Sequence, residues 1–345
     1  MASKKEQSET AVTPRGARDS RRADSDSFQL SRTACAARFL LVLFASLLLS
    51  TLFFSLTASL NRDDLAIISK HLEGWEEVAG LLSWRAVEIG LSWGLGFDIM
   101  TDRDVASFLF LTHLPTYSLL YFFYGVRPTS ILVSFAITIL STVIPFTYLR
   151  KPASVHDLSH APSGSVANRT ILQDRLTTLY TSFAATSIFS VIIYVCYSTW
   201  LPAQLVVHFE SIPDITAASS GAAGLFGLYL TLIPAGFAIR DFLFVSSAGR
   251  SSNAGEPQHP VSREGEYLIT AIYRKTWGRL SAKTQVLVSR TFILAAAVLI
   301  NSTVQIAGTI RGVSAQGASV WGAVWALATV VVGALFGWIE AAEGV

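Results

Sequence analysis

Residues 79–99, AGLLSWRAVEIGLSWGLGFDI, decide how the chain is threaded. The segment is apolar and about as long as a helix must be to cross the hydrocarbon core of a bilayer. It also carries Arg85 and Glu88, and charge inside a span is costly. If the segment spans, every later loop lies on the face opposite to the one it takes if the segment lies flat on a surface.

Seven stronger apolar runs surround it, at about 39–60, 105–125, 129–149, 177–200, 219–243, 291–310 and 319–339. Each approaches or exceeds the roughly 20 residues of a transmembrane helix. The 345-residue chain is 51% hydrophobic and only 14% charged, against about 25% charged in a soluble domain. Its mean hydropathy is +0.48. These blocks are too long for soluble core elements, so burial in a membrane is the economical reading. The net charge of +2 says little as a total; its distribution argues for membrane topology rather than nucleic-acid binding.

That distribution settles the ambiguous segment. With 79–99 as a span, 19 Lys and Arg fall in the N-terminal tail, the 100–104 turn and the 150–176 and 246–288 loops, against 4 on the other face: Arg62, Lys70, Arg127 and Arg311. With 79–99 on the surface, the two basic loops move outside, against the positive-inside rule. The expected fold class is therefore an all-α polytopic membrane protein, about eight transmembrane helices in one bundle, with both termini cytosolic. A sequon at Asn168 then lies in a cytosolic loop and stays unglycosylated, and one at Asn301 lies within a span.

Four regions follow. Residues 1–37 are polar, low in aromatics and read as a disordered cytosolic tail. Residues 38–245 hold about six spans. Residues 246–288 divide into a Ser/Gly/Pro-rich linker and an amphipathic cytosolic helix over 266–288. There Tyr273 and Trp277 share a face, while Arg274, Lys275, Arg279 and Lys283 fall mainly between. That pattern suits a helix lying on anionic lipid headgroups or packed on the protein's own loops. Residues 289–345 hold the last two spans.

Polar residues inside spans are the candidate functional groups. Arg85 and Glu88, at i,i+3, share a helix face; they form either a polar pocket or a self-neutralising pair that lets a weak helix insert. His113 stands two residues before Pro115, near Tyr117, Tyr121 and Tyr124. It either lines a ligand cavity or is a satisfied structural histidine at a kink. Asn301, Gln305 and Thr309 make one polar stripe at i, i+4, i+8, which reads as interhelical glue or as the wall of a solute path. Gly90/Gly94, Gly308/Gly312 and Gly333/Gly337, with Gly221, Gly224 and Gly227, permit close helix contact.

No strong chemistry emerges. Gly90-Leu91-Ser92-Trp93-Gly94 fits a nucleophile elbow as text, but such an elbow needs a strand–turn–helix context. His208, Glu210 and Asp214 are the cluster available to an enzyme and read equally well as a solvated loop. The sequence leads to no catalytic residue, cofactor or metal. It leads to an integral protein of the endoplasmic reticulum or another endomembrane, with a non-catalytic scaffold, assembly or tethering role. Its partners are the lipid bilayer and other membrane proteins, not nucleic acid. A transporter of a small or lipophilic solute is the alternative, then a membrane-embedded enzyme on an apolar substrate.

Overall fold

The computed structural model describes residues 36–59, 66, 68–71, 74–95, 102–149, 174–210, 212–216, 221–244, 277, 280 and 282–343. Among these the chain forms nine helices and no strand. They are α1 (Ala36–Leu56), α2 (Trp75–Leu95), α3 (Asp102–Phe122), α4 (Pro128–Leu149), α5 (Arg175–Ser198), α6 (Leu201–His208), α7 (Gly221–Phe244), α8 (Ala282–Thr309) and α9 (Ala315–Glu343). All but α2 and the short α6 are long and apolar enough to cross a membrane. The loops at 150–173 and 245–276, with Asn168, lie outside the described residues.

The interior is built on α3, α8 and α9. Trp321 of α9 is buried and meets Phe123 and Tyr197 at ring separations of 5.8 and 6.0 Å. Its indole N–H donates to the Pro115 carbonyl at 2.9 Å. That bond meets the polar demand of a large aromatic in an apolar core. α8 and α9 form an antiparallel hairpin turned at Gly312, whose φ of 72° is open to glycine without strain. Gly333 lets the pair close: a Cβ there would stand 2.3 Å from Thr291 Cγ2.

α5 and α7 pack more tightly still. Thr178, Ser182, Thr186 and Ser190 recur every fourth residue on α5, and the last three hydroxyls donate to the carbonyl four residues back at 2.8–2.9 Å. Bonded to their own helix, they can be buried without an outside partner. Gly236 of α7 sits against this stripe, where a Cβ would lie 2.1 Å from Thr186 Oγ1. Gly227, by contrast, has nothing within 4 Å of its Cβ position.

α2 runs the depth of the bundle. Leu81 lies against Gly308 near the end of α8, and Trp84 reaches Asn301 two turns further in. Trp93 packs between Phe39, near the start of α1, and Phe146, near the end of α4. At 1.5 Å per residue its 21 residues measure about 31 Å. The loops at its outer end are stitched by backbone: Lys70 N–H donates to the Thr309 carbonyl and Arg311 N–H to that of Ile68, at 2.8 and 2.9 Å. On the other side of the same turn, Glu210 N–H donates to the Gly312 carbonyl and Ser314 N–H to that of His208.

The helix starts differ from the sequence expectation in one instructive place. Of the expected surface helix at 266–288, Tyr273, Arg274, Lys275 and Arg279 lie outside the described residues. Trp277 is half-buried, and its carbonyl accepts from Gln285 Nε2 at 2.8 Å. Residues 282–288, Lys283 included, form the first turns of α8. The physical reason is that Leu287 and Arg290 are drawn into the core, so α8 begins ahead of its apolar run.

The distribution of side chains is inverted relative to a water-soluble bundle. Leu48, Leu56, Val191, Leu230, Phe292 and Leu327 are exposed, whereas Ser46, Ser134, Ser141, Thr142, Thr186 and Ser302 are buried. Contiguous exposed apolar surface on this scale marks contact with something other than water.

Candidate functional site

Arg85 and Glu88 reach from the middle of α2 into the bundle. Arg85 Nη1 donates to Glu88 Oε2 at 2.6 Å. Its other amino group donates to the Thr138 carbonyl at 3.1 Å and to Thr142 Oγ1 at 2.6 Å, both on α4. Thr142 Oγ1 in turn lies 3.2 Å from Ser46 Oγ of α1. One guanidinium thereby ties α2 to α4 and, through a hydroxyl, to α1.

The second oxygen of Glu88 belongs to α3. His113 Nε2 lies 2.6 Å from Glu88 Oε1, so that nitrogen carries the proton it donates. Arg85 Nη1 is 3.4 Å from the same nitrogen, where it meets another donor and makes no hydrogen bond. Arg85 and Glu88 sum to zero charge, the combination that low-dielectric surroundings tolerate best. Glu88 is 3% exposed.

Asn301 of α8 uses both ends of its amide. Its Oδ1 accepts from Trp84 Nε1 at 2.7 Å, and its Nδ2 donates to the Thr112 carbonyl at 2.9 Å, one turn before Pro115. The proline removes a backbone donor from this part of α3 and weakens the local ladder; Asn301 and Trp321 supply side-chain donors to the Thr112 carbonyl and to that of Pro115 itself. At Asn301 the geometry is that of interhelical bonding.

Beside this network lies a cavity of about 410 Å³, bounded by α1, α2, α3, α4 and the outer end of α8. Arg85, His113 and Gln305 face it, with Thr116, Tyr117 and Ser134. Tyr117 donates to Thr138 Oγ1 at 3.0 Å, since that hydroxyl gives its own hydrogen to the Ser134 carbonyl. The five intramembrane candidates of the sequence therefore converge: Arg85, Glu88, His113 and Asn301 in one bonded network, Gln305 on the cavity wall. Of the three tyrosines near His113 only Tyr117 joins it. Tyr121 is exposed, and Tyr124 lies buried in the turn after α3, where burial pushes its phenol up to about 12.

Sequence reasoning missed Ser46, Trp84, Thr112, Thr138 and Thr142. Serine and threonine are common in apolar helices and usually bond their own backbone, so nothing in their spacing marks the few that turn to a charge.

A wider, open cleft of about 840 Å³ lies at the outer loops and includes His208 and Glu210. His208 Nδ1 is 3.0 Å from Ser314 Oγ. Asp214 takes no part in the cleft; it accepts from the Thr216 N–H and hydroxyl, both at 2.8 Å, which hold its carboxyl below the usual range. The enzyme-like cluster of the sequence is thus divided. Among the described residues no group of three His, Cys, Asp or Glu is placed to hold a metal. At the opposite end, Arg290 donates to the Phe242 carbonyl at 2.6 Å, and Arg240 donates to Asp241 and to Thr178 Oγ1, both at 2.9 Å.

What is described is an all-helical bundle whose charged groups fasten helices together, around an interior of small hydroxyls and aromatics. Within it, residues 174–304 match the family model described as Bouquet formation protein 3 C-terminal domain. The match begins at Asp174, the N-cap of α5, and ends inside α8, three residues after Asn301. No curated protein and no solved structure matches the chain.

Proposed function

We propose that the chain is a multi-pass integral membrane protein that works without catalysis, as a scaffold or tether for other proteins in bouquet formation. The observation that carries this is the match of residues 174–304 to the bouquet formation protein 3 domain. The belt of exposed Leu, Val and Phe supports the membrane part, because lipid is the solvent such a surface suits. The depth traversed by α2 supports eight passes rather than seven, with both termini and the basic loops on the cytosolic face of the endoplasmic reticulum or a continuous endomembrane. The segment around Tyr273 and Lys275 is assigned to anionic headgroups on that face.

The test uses the full chain in intact cells, with a photoreactive residue placed singly at exposed positions on the matched helices, Tyr180, Phe183 and Phe226. A protein adduct of one discrete mass at some positions and not others is the expected result. Lipid adducts at every position, with no protein adduct, would refute the scaffold reading.

A further inference from the structure

We infer that the 410 Å³ cavity between α1 and the rest of the bundle is a binding site for an uncharged lipid bearing a hydroxyl or carbonyl at one end. This rests on the membrane reading above, but not on the partner reading.

Three observations carry it. The first is shape. The volume lies within the range of small-molecule sites, which are mostly apolar with a few placed polar groups. Here Leu47, Phe54, Leu82 and Leu120 supply apolar wall, and Arg85, His113, Thr116, Ser134 and Gln305 are among its polar groups. The second is unmet bonding. Thr116 and Ser134 both line the cavity and are 7% and 2% exposed, and neither hydroxyl has a hydrogen-bond partner among the described residues. A buried polar group left without a partner is costly, and a ligand oxygen toward which one of these hydroxyls turns would answer it. The third is access. α1 forms one wall through Leu47, Ser50, Thr51 and Phe54, yet only 11% of its most apolar stretch is buried. A wall so loosely held is where a molecule dissolved in the bilayer would enter.

The electrostatics choose the ligand's charge. Among the described residues Arg85 is the one permanent cation on the wall, and Glu88 already neutralises it at 2.6 Å while α4 takes its other amino group. An anion would lose its solvation and find no free countercharge. A neutral oxygen loses less and needs a single hydroxyl or amide on the wall to bond. Sterols and diacylglycerols share this chemistry, an apolar body with one small polar end.

The full chain reconstituted in lipid discs would be irradiated with a diazirine sterol, a diazirine diacylglycerol or a diazirine fatty acid, and the adducts mapped by mass spectrometry. Saturable labelling on α1 near Leu47–Phe54 and on α3 near Tyr117–Leu120, competed by the unlabelled lipid, is expected for one of the two neutral probes. Which one labels tells the source. Thr116→Val with Ser134→Ala keeps the shape and removes the hydroxyls; apparent affinity should fall about fivefold for one lost hydrogen bond. Ser134→Phe fills the space and should abolish labelling. Should that variant misfold, Thr51→Trp at the α1 wall asks the same question. Non-saturable labelling spread over lipid-facing positions such as Leu327, or cavity labelling by the ionised fatty acid alone, would overturn the proposal and leave the membrane reading intact. A chain that takes up no lipid at all would overturn both.

Discussion

The front of the bundle, α1 to α4, and the back, α5 to α9, are held together by different physics. At the back, helices approach until side chains almost vanish: Gly236 lies on Thr186 and Gly333 on Thr291. At the front, α2 is joined to its neighbours by one ionic network through Arg85, Glu88 and His113, with a cavity beside it. α1, the most apolar helix, is the least buried at 11%, and α3, the least apolar of the seven membrane-length helices, is the most buried at 67%. In water that order would be reversed; it is the order that contact with lipid would favour, since apolar side chains on the outside then cost nothing. The family match falls on α5, α6, α7 and most of α8.

This contrast can be broken from either side. The largest effect is expected at the front. Glu88→Ala leaves a guanidinium buried without its countercharge, which costs about 3–5 kcal/mol. Heat-induced aggregation in detergent should begin well below that of the unaltered chain. The paired change Arg85→Met with Glu88→Leu removes both charges and should recover most of that loss. If single and double changes are equally harmful, the network is not what holds α2.

At the back, Gly236→Ala forces a methyl into space already occupied by Thr186 and should cost about 1–3 kcal/mol. Gly227→Ala, on the same helix but facing open space, should be near neutral in the same assay. Between the halves, Asn301→Ala strands the Trp84 N–H and removes the donor from the Thr112 carbonyl; about 1 kcal/mol is expected, the scale of an interhelical hydrogen bond in a membrane. A cost of Asn301→Ala that disappears in a Trp84→Phe background would locate the coupling in that pair.

The smallest effect lies at the start of the matched region. Asp174 caps α5 by accepting from the N–H groups of Leu176 and Thr177 and from the Thr177 hydroxyl, bonds that hold its carboxyl below its ordinary value of 3.8. A depressed folded-state value means that the cap contributes fully at neutral pH and is lost as pH falls through that depressed value. Amide exchange in the first turn of α5 should therefore rise only in strong acid. Asp174→Asn keeps an acceptor and should remove the pH dependence while leaving the turn protected at neutral pH.

The sequence showed the front more clearly than the back. Arg85, Glu88, His113 and Asn301 stand out because charge and amides are rare in apolar helices, and rarity directs attention to the right residues. Their partners Thr138 and Thr142 do not stand out, since only the fold says which hydroxyl meets the guanidinium. At the back the signal was the glycines, and spacing served in part: Gly333 of a GxxxG pair meets Thr291, but the Gly221, Gly224, Gly227 series includes an open position, and Gly236, which lies against Thr186, belongs to no such pair. A small residue matters through what faces it across the seam, and that is a property of two helices. The start of α8 was hidden for the opposite reason, because Lys283 and Thr284 read as surface although the helix they begin is drawn inward at Leu287.

The central claim is that α2 crosses the membrane as an eighth pass. With Cys35 and Cys196 replaced by Ser, single cysteines at His71 and Arg103 flank α2, both exposed. In sealed vesicles a membrane-impermeant maleimide should label them from opposite sides, with Arg311→Cys grouping with His71→Cys. Labelling of His71→Cys and Arg103→Cys from the same side would contradict the account and return α2 to the membrane surface.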